Sequence, residues 1–119
     1  DLGVRVEVVN ADARDLGRSD CRGQAVLVTA RAFGPPAMTA EIGAALLAVG
    51  GTLVVSEPPP RDGVNTVERW PLVGIGRLGL IDAGTWHSGM SGYQALSCGF
   101  LTPGRFPRGG PAMASDPVF

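Results

Sequence analysis

Polar and apolar residues alternate from Val4 to Val9 (Val-Arg-Val-Glu-Val-Val) and the alternation stops at Asn10-Ala11-Asp12, which predicts a strand that ends in a polar turn. Ala13 to Leu16 has room for one helical turn, and Gly17 to Gly23 reads as a polar loop rich in Arg, Asp and Ser. Ala25-Val26-Leu27-Val28-Thr29 is continuously apolar with β-branched residues, the signature of a strand covered on both faces in a parallel sheet. Pro35-Pro36 then opens a helix, because proline at the first helical position forfeits no intrahelical bond. Met38, Ile42, Ala45, Leu46 and Val49 recur at helical spacing, and Gly50-Gly51 supplies a left-handed stop. Thr52 to Ser56 is a further strand, ended by Glu57 and three prolines. A strand, helix and strand of this length require a right-handed crossover and parallel neighbours.

Beyond this unit the pattern weakens. Arg61 to Val67 reads as an exposed loop, and Glu68 to Leu78 as a short helix broken near Pro71 and Gly74-Gly76. Leu80 to Ala83, leading to Trp86-His87, and Tyr93 to Cys98 form two antiparallel strands closing one edge of the sheet, with the turn in the Ser-Gly pairs between them. From Thr102 onward proline and glycine are too frequent for regular structure. The expected organisation is therefore an α/β domain over residues 1–101 and an irregular tail over 102–119, with no internal repeat.

Composition narrows the function classes. At 119 residues with 45% hydrophobic and 18% charged content, the chain is one globular domain at most. Its apolar runs are much shorter than the roughly 20 residues of a membrane span, so no membrane association is expected. No charged-then-apolar leader precedes the first strand, and a start at Asp1 reads as a cut. Cys21 and Cys98 lack metal-ligand spacing, so no zinc site is expected; free buried thiols fit a reducing cytoplasm. Every basic residue is arginine, which suits bidentate phosphate or carboxylate contacts. A net charge of -1 excludes a broad nucleic-acid surface and confines any RNA contact to a local patch.

In open α/β sheets ligands lie beyond the carboxyl ends of the strands. Those ends carry Asn10-Ala11-Asp12-Ala13, Thr29-Ala30-Arg31 and Ser56-Glu57. A polar turn and an acid after the first strand suit an adenine edge, and Arg31 suits a carboxylate or phosphate. The structural alternative is that Asp12 caps the following turn and Arg31 pairs with a nearby acid. No glycine-rich strand-to-helix loop precedes them, which weakens a dinucleotide-binding reading. His87 has no Ser or Cys partner placed by motif, and Ser88, Ser91 and Ser97 lack a nucleophile elbow, so no catalytic residue is assigned. Arg105 and Arg108 flank Phe106, two guanidiniums and a ring suited to an RNA backbone; the alternative is a tail pinned by Phe106.

VEVVNADARDL (6–16), VLVTARAFGPPA (26–37), LLAVGGTLVVSEPP (46–59), RLGL (77–80), GYQALS (92–97) and GRFPRGGPA (104–112), taken together and in this order, resemble the C-terminal half of the bacterial 16S ribosomal RNA guanine-N7 methyltransferase family, also called glucose-inhibited division protein B. The resemblance implies a partial Rossmann-like sheet whose N-terminal strands are absent, and S-adenosylmethionine as cofactor. It places Ala13 and Arg14, beside Asp12, after the family's third strand and Arg31 after its fourth, both at the cofactor. It assigns Arg105 and Arg108 to contacts with the small ribosomal subunit's RNA. The chain departs from the family at Asp12, where an arginine is usual, near Ser56 and Glu57, where a lysine is, and at Ala114, Ser115 and Asp116, which replace lysines. Weaker phosphate binding follows. The family's sheet order also puts an absent strand between the first two strands here, so another chain or a second copy is expected to complete the sheet. The alternative is a non-catalytic Rossmann-like module kept for assembly or protein binding.

Overall fold

The computed structural model describes residues 3, 5–31, 34–58 and 69–119. Among them lie four strands, β1 (Ala25–Ala30), β2 (Leu47–Glu57), β3 (Leu80–Ser88) and β4 (Ser91–Cys98), and four helices, α1 (Ala13–Leu16), α2 (Pro36–Leu46), α3 (Leu72–Arg77) and α4 (Gly110–Ser115). The strands form one sheet in the order β1-β2-β4-β3. β1 and β2 are parallel and joined through α2, as their pattern requires, while β4 is antiparallel to both β2 and β3. Three strands therefore point one way and the hairpin strand between them points back. This mixed α/β architecture is compatible with a portion of a Rossmann-like sheet.

Register divides the sheet into two unlike faces. Val28, Leu53 and Leu96 lie opposite one another on one face, and with Val55, Leu80 and Cys98 they join the core cluster. The helical members of that cluster, Ala40 and Ala44 of α2 and Ile75 of α3, cover this side. Gly43 sets how close α2 can come, because a Cβ there would stand 2.9 Å from both methyls of Leu53. The opposite face carries Leu27, Thr29, Val54, Ser56, Tyr93, Ile81 and Trp86, by the same registers. Leu27 and Ile81 are each 58% exposed there. The apolar run of β1 thus finds cover on one face only, against the expectation of two, and β1 stands at the sheet's edge with Val26 78% exposed.

Other expectations are corrected. Residues 5–10 form no strand and are exposed, with Val8 at 89%. Alternation alone does not hold a strand; its amides need pairing with a neighbouring edge, and this segment pairs with none of the described strands. α2 stops at Leu46, where Leu47 turns extended, and not at Gly50-Gly51. Those glycines sit inside β2: Gly50 takes φ +84°, and a Cβ on Gly51 would come within 2.7 Å of the Ala25 carbonyl oxygen. They accommodate the register shift that separates the Ala25–Leu47 pair from the Leu27–Thr52 pair. α3 begins after Pro71 and runs through Gly74 and Gly76 without a break. The loop expected over 61–67 lies outside the described residues.

The tail after Thr102 is not an appendage. Phe106, Met113 and Val118 are buried, and Gly110–Ser115 forms α4. Arginines of the 17–23 loop hold it: Arg18 donates to the Pro107 carbonyl at 2.6 and 2.9 Å, and Arg22 donates to the carbonyls of Thr102, Pro103 and Phe106. Carbonyls of a proline-rich segment have no helix or sheet partner, so these guanidinium forks satisfy them. Both cysteines are free, but only Cys98 is buried; Cys21 is exposed, contrary to expectation. No helix among the described residues is long and apolar enough to cross a membrane.

Candidate functional site

Because β1 and β2 are parallel, both end on one rim, where Arg31 follows Ala30 and Glu57 closes β2. Arg31 is exposed and its guanidinium, among the described residues, makes no hydrogen bond or ion pair. It borders three clefts. One, of about 240 Å³, runs between β1 and α2 and is walled by Ala13, Val28, Ile42 and Leu53, with Thr39 beside them. A second, of about 420 Å³, opens on the bare face of the sheet against Thr29, Ser56 and Tyr93. A third, of about 370 Å³, reaches Glu57, Arg69 and Trp70.

Of the four residues expected at the cofactor, Ala13 and Arg31 share the first cleft. Asp12 and Arg14 bind each other. Asp12 is the N-cap of α1, its Oδ1 accepting from the Arg14 backbone N–H at 2.9 Å and from Arg14 Nε at 3.0 Å, while Oδ2 accepts from Nη2 at 2.6 Å. This is the capping role that the residue type permits. The side-chain hydrogen bond from Arg14, then its backbone bond, lowers the Asp12 carboxyl from 3.8 to about 2. The same partner raises the Arg14 guanidinium above its ordinary value. With the folded value below the unfolded one, what the cap contributes to stability is present above 3.8 and is lost as pH falls toward about 2. An NMR titration of side-chain carboxyl carbons is expected to place Asp12 near 2; a midpoint at 3.8 would mean the pair does not persist in solution.

The two arginines of the tail separate equally clearly. Arg105 is exposed, its guanidinium carbon 4.7 Å from the centre of the Phe106 ring. Arg108 is held by Glu41, a carboxylate 1% exposed in the middle of α2. Oε2 of Glu41 accepts from the Arg108 backbone N–H at 2.6 Å, and Oε1 accepts from Nε at 3.1 Å and Nη2 at 2.8 Å. The side-chain hydrogen bond to Glu41 raises the Arg108 guanidinium above its ordinary value. The pair anchors the tail to α2, which leaves Arg105 as the tail's outward cation. A charged residue amid Ala and Ile in a buried helix was the signal for Glu41 in the sequence, since such a group requires a partner.

Glu57, expected at this rim, has partners that spacing did not reveal, and so does the aromatic pair of Trp86 and Tyr93. Glu57 accepts from Arg69 Nε at 2.8 Å and from Trp70 Nε1 at 3.1 Å, which ties β2 to the start of α3. Trp86 and Tyr93 stack with centroids 5.3 Å apart and planes at 23°. His87, next to Trp86, is exposed on β3. Among the described residues no group of three His, Cys, Asp or Glu is arranged to hold a metal ion.

The donor set fits part of S-adenosylmethionine. The cleft between β1 and α2 is lined mostly by apolar side chains, as an adenine plane requires, and the unengaged Arg31 guanidinium is matched to a carboxylate. For the ribose diol the acid next to Ala13 in the chain is Asp12, whose two oxygens already serve Arg14. Comparison of the chain with protein-family models and with curated proteins finds no match.

Proposed function

We propose that this chain is part of an S-adenosylmethionine-dependent methyltransferase acting in the cytoplasm on N7 of a guanine in small-subunit ribosomal RNA. The observation that carries the reading is the meeting of Ala13 and Arg31 in one apolar cleft at the carboxyl end of β1. When bound, the cofactor supplies an electrophilic methyl group on a sulfonium. The chain's own residues need then only orient and desolvate: Val28, Ile42 and Leu53 keep water from the adenine plane, and Arg31 fixes a carboxylate. Arg105 is the cation available to RNA phosphate. The outer edge of β1, unpaired among the described residues, is where a further segment, another chain or a second copy would complete the sheet and supply the missing ribose contact.

A second reading, a non-catalytic assembly module, is favoured by the pairing of Asp12 with Arg14 and of Arg108 with Glu41, which removes three expected ligand contacts. Isothermal titration separates the two. On the methyltransferase reading the chain binds S-adenosylmethionine and its demethylated product weakly but saturably, without methyl transfer. Ala13→Trp, which fills the cleft, then weakens both by at least about tenfold. A titration without heat at millimolar ligand overturns the reading in favour of the module.

A further inference from the structure

We infer that Tyr93, backed by Trp86, is a stacking platform for one purine nucleotide, received in the cleft on the bare face of the sheet with its phosphate at Arg31. Cross-strand register builds the platform. Trp86 of β3 lies opposite Tyr93 of β4, and Tyr93 lies opposite Ser56 of β2. Arg31 is the next residue after Ala30, which pairs with Val55. One lateral row, Ser56, Tyr93 and Trp86, therefore crosses β2, β4 and β3 with its side chains on the same face, as directly opposed residues must be, and Arg31, just past the end of β1, borders the cleft beside it. The row runs from two aromatic rings to a hydroxyl, with the guanidinium beside it.

Tyr93 presents one ring face to Trp86, and it also lines the cleft of about 420 Å³ together with Ser56, Thr29 and Arg31. A planar base entering there extends the stack by one ring. A purine offers the larger overlap, and the cleft exceeds what a single base fills, leaving room for ribose and phosphate. Arg31, without an ion pair among the described residues, is suited to a bidentate phosphate contact. The inference rests on the reading of this rim as an RNA-methyltransferase surface only for the source of the nucleotide; the platform itself follows from register and stacking.

The test uses guanosine monophosphate and the native fluorescence of the two tryptophans. Saturable quenching is expected, absent in Trp86→Phe, which still binds by calorimetry. Tyr93→Ala, checked for folding by circular dichroism, weakens binding about tenfold or more. Arg31→Gln weakens the monophosphate but not guanosine, which lacks the phosphate. A short single-stranded oligoribonucleotide of guanosine and adenosine binds more tightly than the monophosphate if RNA is the source, and no more tightly if a free nucleotide is. Absence of binding at millimolar monophosphate, or equal binding by Tyr93→Ala, overturns the platform. If Tyr93→Ala folds poorly, Tyr93→Phe must retain binding and Tyr93→Leu must lose it. Failure here with S-adenosylmethionine still bound in the Ala13 cleft rejects the platform alone; the reverse result rejects the cofactor reading and keeps the platform.

Discussion

Arg108→Ala is expected to destabilise the chain by about 3–5 kcal/mol, because it strands the Glu41 carboxylate inside the protein. Glu41 is 1% exposed, and three of its hydrogen bonds come from Arg108, two of them from the guanidinium. Removing one member of a buried pair costs far more than the pair contributes, since the remaining charge has neither water nor a counterion. For a domain of this size the melting temperature should fall by more than about 10 °C. Two controls give the number its meaning. Glu41→Gln combined with Arg108→Ala should recover much of the loss, because a neutral amide is cheaper to bury and its oxygen still accepts from the backbone N–H of residue 108. Arg105→Ala, on an exposed side chain, should shift stability by no more than about 0.5 kcal/mol. Equal melting of Arg108→Ala and the parent would show that the tail is not anchored through Glu41.

Gly79→Ala is the second large effect, expected at about 3 kcal/mol or more from two independent causes. Gly79 takes φ +84°, a left-handed conformation that costs a non-glycine residue about 1–2 kcal/mol. A Cβ there would also collide with the carbonyl oxygen of Phe100, a backbone atom that cannot rotate away. Nor can the turn relax easily. The Gly79 N–H donates to Gly76 at 3.1 Å and its carbonyl accepts from Gly99 at 2.8 Å, fixing the end of α3 to the end of β4. Urea unfolding measures the loss. Gly76→Ala nearby, where a Cβ meets nothing within 4 Å, is the comparison. It should be neutral or stabilising, as alanine is preferred to glycine within a helix. Similar midpoints for the two variants would mean that Gly79 is not constrained as described.

These two positions also show where local reading of the chain stops. Gly79 is one of many glycines, and neither its sign of φ nor the approach of Phe100 can be read from Arg77-Leu78-Gly79-Leu80. The Gly50-Gly51 pair reads as a helix stop by its local pattern, yet it lies within β2, because pairing with β1 placed Ala25 beside Gly51 and required a residue without a side chain. The Val4 to Val9 alternation is as clear as any strand pattern in the chain, yet residues 5–10 are unpaired. A period of two specifies which side chains share a face, and only hydrogen-bonded pairing with a neighbouring strand turns it into a sheet.

At the candidate site the division is the same. Asp12 as a cap was legible, since an aspartate before a helical turn acts within two residues of itself. Arg31 at a strand's carboxyl end was legible once the strand was. The partnership of Arg108 with Glu41 spans 67 residues, and those of Arg18 and Arg22 with the tail span 80 or more. No pattern of neighbours distinguishes a guanidinium that clamps carbonyls from one that awaits phosphate, because the two need the same chemistry.

By itself, then, the sequence determined the parallel β1-α2-β2 unit, the β3-β4 hairpin and the cap at Asp12, all products of short-range backbone limits and side-chain period. The tertiary structure alone decided that, among the described residues, one face of the sheet has no covering layer, that the tail folds into the core, and that Arg31 and Arg105, but not Arg14 or Arg108, are left with guanidiniums free of a carboxylate. The physical reason is that burial and ion pairing depend on which surfaces meet, and those meetings are set by contacts between residues far apart along the chain.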